Sequence, residues 1–121
     1  MAEHNKLGRA GEKVAENYLL KKGFQIIERN WYSSHKEIDL IAQVEGWLVI
    51  VEVKTRTSDY WERPEEAVNG IKIKRIVQAA NHYVCFKNID LPVRFDVISI
   101  ILNKDGWVIE HFEDAFLPPY K

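Results

Sequence analysis

A chain of 121 residues, 46% apolar and 29% charged, holds one domain with one core, and its composition excludes a disordered tail, a collagen-like chain and a disulfide scaffold. The single cysteine, Cys85, excludes an intrachain disulfide and a thiolate zinc site. No run approaches the roughly 20 apolar residues that span a bilayer. The polar start, Met1 to Gly11, lacks the apolar stretch of a signal peptide, so a cytoplasmic domain without membrane contact is expected. The net charge of −1 hides four blocks: +3 over residues 1–36, −5 over 37–66, +4 over 67–94 and −3 over 95–121. An acidic centre between basic flanks suits a cation site beside a polyanion, and also suits ordinary solvated faces.

Leu7, Ala10, Val14, Ala15 and Tyr18 recur at three- and four-residue steps and predict an amphipathic helix from about Asn5 to Lys22, stopped by Gly23. Phe24 to Tyr32 reads as a strand. Ile38 to Val44 and Trp47 to Val53 alternate around Glu45-Gly46, which predicts a two-residue β-hairpin. The polar stretch 57–70 reads as a loop with one helical turn at Pro64–Val68. A second helix follows from about Ile71 to Phe86, with Ile73, Ile76, Val77, Ala80 and Val84 on one stripe. Cys85 reads as a core residue of this helix. Val93 to Leu102, a turn at Asn103-Lys104-Asp105-Gly106 and a last strand, Trp107 to Phe112, complete the chain. Helix, three strands, helix, two strands is an α/β order around one mixed sheet.

The hairpin brings the chemistry together. A two-residue turn at Glu45-Gly46 pairs Val44 with Trp47, so Asp39 falls opposite Glu52 and Glu37 opposite Lys54. Alternation then puts these four on one face and Ile38, Leu40, Ala42, Val44, Val49, Val51 and Val53 on the other, the core side. Carboxylates directly across a strand pair repel unless a cation sits between them. Asp39 and Glu52 are therefore candidate ligands for a hard divalent cation such as magnesium. Lys54, two residues from Glu52, could orient an attacking water or stabilise charge on a phosphate. Carboxylate, carboxylate and lysine beside a metal are the parts of metal-assisted phosphodiester hydrolysis. A solvated hairpin face with a Glu37–Lys54 surface pair is the plain alternative.

Asp39 followed after twelve residues by Glu52-Val53-Lys54 matches the motif of the PD-(D/E)xK, or restriction-endonuclease-like, nuclease superfamily. More narrowly, four blocks resemble the YraN-like family of small bacterial predicted endonucleases: Gly8-Arg9-Ala10-Gly11-Glu12, Arg29-Asn30-Trp31, Glu37-Ile38-Asp39-Leu40-Ile41-Ala42 and Val51-Glu52-Val53-Lys54-Thr55-Arg56. The likeness runs from about Lys6 to Ile100 and departs at His35-Lys36, where that family often has glycines. It implies a three-layer α/β/α core with element order α-β-β-β-α-β-β in a single domain over residues 1–121. It also implies a Mg2+- or Mn2+-dependent endonuclease, with Asp39 and Glu52 on the metal, Glu12 joining them from the first helix, and Lys54 positioning the water. Glu12 otherwise reads as an ordinary exposed helix glutamate.

Related nucleases place a glutamine beside the lysine, which here would be Gln78, itself equally readable as a polar flank residue. Phosphate contacts would come from Arg9, Lys36, Arg56, Lys72, Lys74 and Arg75. The four histidines show no ligand spacing, and the tryptophans read as packing residues, base stacking by Trp31 or Trp61 being the lesser alternative. The likeness is closest in shape to Holliday-junction resolvases, which implies a homodimer acting on DNA or another structured nucleic acid. The rival reading is a nucleic-acid-binding module on the same fold without catalysis.

Overall fold

The computed structural model describes residues 2–33, 36–57 and 70–115, without the side chains of residues 2–5 and Lys36. Its elements are α1 (Ala2–Lys21), β1 (Gln25–Ser33), β2 (Lys36–Val44), β3 (Trp47–Thr57), α2 (Gly70–Lys87), β4 (Val93–Asn103) and β5 (Gly106–Phe112), the order that the periodicities predict. The helical turn expected at Pro64–Val68, and Trp61, lie outside the described residues. Among the described residues no helix is long and apolar enough to cross a membrane.

Local chemistry sets the element ends. After α1, Gly23 adopts φ +93°, the Phe24 N–H bonds the Leu19 carbonyl at 3.0 Å and the Gly23 N–H bonds that of Leu20 at 3.1 Å, the paired bonds of a Schellman cap. Asn88 ends α2 in the same way at φ +56°, with Ile89 N–H on the Val84 carbonyl at 2.9 Å. Glu45 and Gly46, at φ +49° and +83°, turn the β2–β3 hairpin with the two left-handed residues that a tight hairpin requires.

The five strands lie in sequence order, β1-β2-β3-β4-β5. All neighbours are antiparallel except β3 and β4, which are parallel and therefore need the α2 crossover between them. Central β3 is buried on both faces from Leu48 to Val53. On one face Ala15, Leu19 and Phe24 cover Leu40, Ala42, Val49, Val51, Val53, Ile98 and Ile100. On the other, Ile76, Ala79, Ala80 and Tyr83 of α2 cover Ile38, Ile41, Leu48, Ile50, Phe95 and Val97. Each face of the sheet thus carries one helix.

Four sequence expectations need correction. The sheet has two core faces, because a central parallel pair is covered on both sides. Ile38 packs under α2 while Leu40 packs under α1, so strict alternation breaks at Asp39. Ala10 is exposed and its neighbour Gly11 is buried, which rotates the contact stripe of α1 by one residue. Cys85 is exposed, because the buried stripe of α2 runs through Ile76, Ala79, Ala80 and Tyr83.

Candidate active site

The β2–β3 hairpin follows the predicted register from Val44↔Trp47 to Leu40↔Val51, and there the ladder stops. Asp39 does not pair with Glu52 across it, nor Glu37 with Lys54. Instead the Val53 N–H donates to Asp39 Oδ2 at 2.8 Å, so a carboxylate takes the place of the next carbonyl and the strands open. Glu37 pairs across to Tyr32 of β1, and Lys54 lies beside Ser99 in the β3–β4 ladder. The opening is where the sequence-predicted polar residues gather.

Gly11 brings the first helix to this opening. A Cβ at that position would lie 2.8 Å from Thr55 Cγ2 and 2.9 Å from its Cβ, closer than packed carbons approach, so only glycine lets α1 lie this near to β3. The next residue, Glu12, then reaches the strands. One carboxylate oxygen from each of Glu12, Glu37 and Asp39 lies within 4.8 Å of the others. Asn30, held at φ +50°, has its amide oriented by the network: its nitrogen donates to Glu12 Oε1 and to Glu37 Oε2, both at 3.0 Å. Sequence reasoning put Glu37 on this face only as the partner of Lys54, and missed Asn30. Their signal was present, since both sit in the quoted blocks and Asn tolerates the left-handed conformation better than most residues.

Glu52 borders this cluster without being one of its three members. It is 6% exposed and its Oε2 accepts from Lys54 Nζ at 3.2 Å and Lys72 Nζ at 2.7 Å. Lys72, expected on a phosphate, is thus an internal partner of Glu52. Burial, and then the charge of Glu52, push the Asp39 carboxyl well above its usual range; Glu12 and Glu37 add to this, against the opposing Val53 N–H. Burial first, then Glu37 and Glu52, raise Glu12 against the Asn30 bond and the charge of Arg9. Burial, followed by the neighbouring Lys72, lowers Lys54 below the ordinary ammonium range. The raised proton affinity of Glu12 and Asp39, with the oxygens of Glu37 crowded against them, fits a hard divalent cation in place of those protons. Glu12, Glu37 and Asp39 are the residues that would hold it, with Glu52 next to them.

The remaining predicted residues are dispersed. Arg9 is exposed on α1 and lines a groove with Glu12. Arg56 lines a second groove with Glu12 and Lys54, and its Nη1 reaches the Thr55 carbonyl at 3.4 Å. Lys74, Arg75 and Gln78 are exposed on α2, and no bond joins them to the carboxylates among the described residues. The Lys36 side chain lies outside the described ones. Trp31 packs edge-on against Tyr83, with ring centroids 5.2 Å apart.

Residues 11–100 match the uncharacterised protein family UPF0102. The chain belongs to UPF0102. It is 50% identical over 119 residues to UPF0102 proteins of Parabacteroides distasonis and Bacteroides thetaiotaomicron, covering 98% of each chain. It is 49% identical over 116 residues to a UPF0102 protein of Flavobacterium psychrophilum, covering 96% of this chain and 98% of that one. The span matched to UPF0102 begins at Gly11 and contains Glu12, Asn30, Glu37, Asp39, Glu52, Lys54 and Lys72, every residue of the opening described above.

Proposed function

We propose that this chain is a metal-dependent nuclease on a restriction-endonuclease-like fold, hydrolysing phosphodiester bonds in nucleic acid, DNA foremost. The observation that carries the reading is the convergence of three carboxylates within 4.8 Å beside a buried Glu52–Lys54 pair, at the point where the hairpin opens. The order α-β-β-β-α-β-β with a helix on each sheet face supports the fold assignment. A bound Mg2+ or Mn2+ would supply Lewis-acid polarisation of the phosphate and of its attacking water. Glu12, Glu37 and Asp39 furnish the hard oxygen donors, and Asn30 fixes the first two. Lys54, 13% exposed at its side chain, is placed to orient a water or to meet charge developing on a phosphate oxygen. In hydrolysis the water oxygen bonds to phosphorus and gives up a proton, the P–O ester bond breaks, and the leaving oxygen takes up a proton, so that no net proton is consumed. A homodimer acting on branched DNA, as in junction resolvases, is the assembly we propose by analogy.

The test is a cleavage panel of linear, flapped and four-way DNA and of RNA, with magnesium or manganese at saturation. Wild type cleaves at least one substrate, and Asp39→Ala and Lys54→Ala each lose about 100-fold or more. Lys54→Ala changes affinity only modestly, because one lost phosphate contact lowers the salt slope by about one unit. A wild type that binds the panel and cleaves none of it removes the enzyme and leaves a binding module.

A further inference from the structure

Glu12 lines two grooves that otherwise share no residue. One lies between α1 and β3 and is lined by Lys54, Thr55 and Arg56. The other lies between α1 and β1 and is lined by Arg9, Lys13, Glu16, Arg29, Asn30 and Leu40. Since β1, β2 and β3 are consecutive in the sheet, the grooves flank the carboxylate cluster on opposite sides. They enclose about 150 and 170 Å³, below the 300–1,000 Å³ of small-molecule pockets, a size that suits backbone phosphate groups.

The α1–β1 groove sets three cations, Arg9, Lys13 and Arg29, against two carboxylates, Glu12 and Glu16. Arg29 turns its Nε and Nη2 to the buried Glu16, at 2.9 and 2.6 Å, which locks the guanidinium while its side chain stays 53% exposed. Arg9 and Lys13, one helical turn apart, are both exposed beside it. Three residues beyond Arg29 on β1, about 10 Å along the strand, stands Tyr32. It is 67% exposed, so its ring is open to solvent. It stands opposite Glu37 in the β1–β2 ladder, and directly paired residues of a ladder point to the same face. The ring therefore borders the cluster. Cations tracking a backbone beside an open aromatic face are the elements of single-strand recognition, because every base offers a face to stack.

We infer that Arg9, Lys13 and Arg29 guide an unpaired nucleic-acid strand along the α1–β1 groove to the carboxylate cluster, with Tyr32 stacking on a base of that strand. The substrate class is then a nucleic acid with a single-stranded arm at the cleavage point, not a continuous duplex. This rests on the nuclease reading of the cluster. It moves the main strand contacts from Lys74 and Arg75 of α2 to α1 and β1.

The experiment is fluorescence anisotropy in chelator, so that binding is read without cleavage, on a labelled single-stranded oligonucleotide of about 20 nucleotides and on its duplex. Tyr32→Ala weakens single-strand binding about tenfold or more while Tyr32→Phe keeps it, and duplex binding changes less. Arg9→Ala and Lys13→Ala each lower the single-strand salt slope by about 0.7. Lys104→Ala, in the β4–β5 turn, changes neither quantity. The inference is overturned if neither probe binds in a salt-dependent way. It is equally overturned if Arg9→Ala and Lys13→Ala behave like Lys104→Ala, or if Tyr32→Ala affects both probes alike. The nuclease reading fails separately: a wild type that binds through this track yet cleaves nothing sinks the chemistry and keeps the track.

Discussion

Gly11 gives the sharpest test of how the site is assembled, because a matched control lies three residues away. Both Gly8 and Gly11 are in α1, and replacing glycine by alanine within a helix favours folding by about 1 kcal/mol. At Gly8 a Cβ meets nothing within 4 Å, whereas at Gly11 it would overlap Thr55, with Cγ2 at 2.8 Å and Cβ at 2.9 Å. The Thr55 Cβ is not a flexible tip that can swing aside, so helix and strand must separate. Overpacking of this kind destabilises by about 1–3 kcal/mol. Gly8→Ala should thus raise Tm by up to about 4 °C, and Gly11→Ala should leave it unchanged or lower it by as much as about 8 °C. The difference between the variants isolates the contact itself. Adding Thr55→Ala removes Oγ1 and Cγ2, two of the three Thr55 atoms crowding that Cβ, and should restore part of the loss, a coupling of more than about 0.5 kcal/mol in the double-mutant cycle. The displaced helix carries Glu12, so under the nuclease function proposed above Gly11→Ala should lose more cleavage than its loss of stability accounts for. Equal stabilisation by both alanines, with no coupling to Thr55, would refute the close approach as the reason for the glycine.

Two further predictions concern buried charge. Because Asp39 is pushed well above its usual range by burial and by Glu52, its ionisation opposes folding at neutral pH. Asp39→Asn, whose amide oxygen keeps the Val53 bond, should therefore melt at or above the wild-type temperature in chelator; magnesium should stabilise wild type by mass action and the variant less, and equal magnesium shifts in thermal melts would place the ion elsewhere. Asp96, fully buried, works in the opposite sense. Burial would raise its carboxyl, but His111 Nε2 at 2.7 Å, two Arg94 bonds at 3.0 Å and the Asp114 N–H at 3.0 Å prevail and hold it below its usual range. Its stabilisation is complete above the unfolded pKa of about 3.9 and disappears as pH falls through the depressed folded value. Asp96→Asn should destabilise by about 3 kcal/mol at pH 7 in urea melts, and the gap to wild type should narrow on acidification. A gap that does not depend on pH would count against this account.

Much of the fold was legible in one dimension. The 3.6-residue stripes of α1 and α2 and the alternation around Glu45-Gly46 are local patterns, so they set element type, order and the hairpin register from Leu40 to Val51 without reference to the rest of the chain. Gly23 marked a helix end because few other residues adopt φ +93° readily. Asp39, Glu52, Lys54 and Glu12 were legible as a set through their blocks. What failed was every inference that carried a regular pattern past the point where a neighbour interrupts it. Alternation broke at Asp39, whose side chain replaces a ladder bond to Val53, and at Asn30 of β1, at φ +50°, where Arg29 turns to Glu16 of α1 while Trp31 packs on the α2 side.

The sequence by itself determined which residues form helices and strands and which carry the charge. Tertiary structure alone decided that Glu37 joins Glu12 and Asp39 while Glu52 is taken by Lys54 and Lys72. It alone paired His111 with Asp96, 15 residues apart, and with Tyr18, 93 residues apart. It also left the Tyr32 ring open beside the carboxylates. The physical reason is that periodicity follows from the backbone of each segment, whereas the partner of a buried charge depends on which elements the sheet brings side by side.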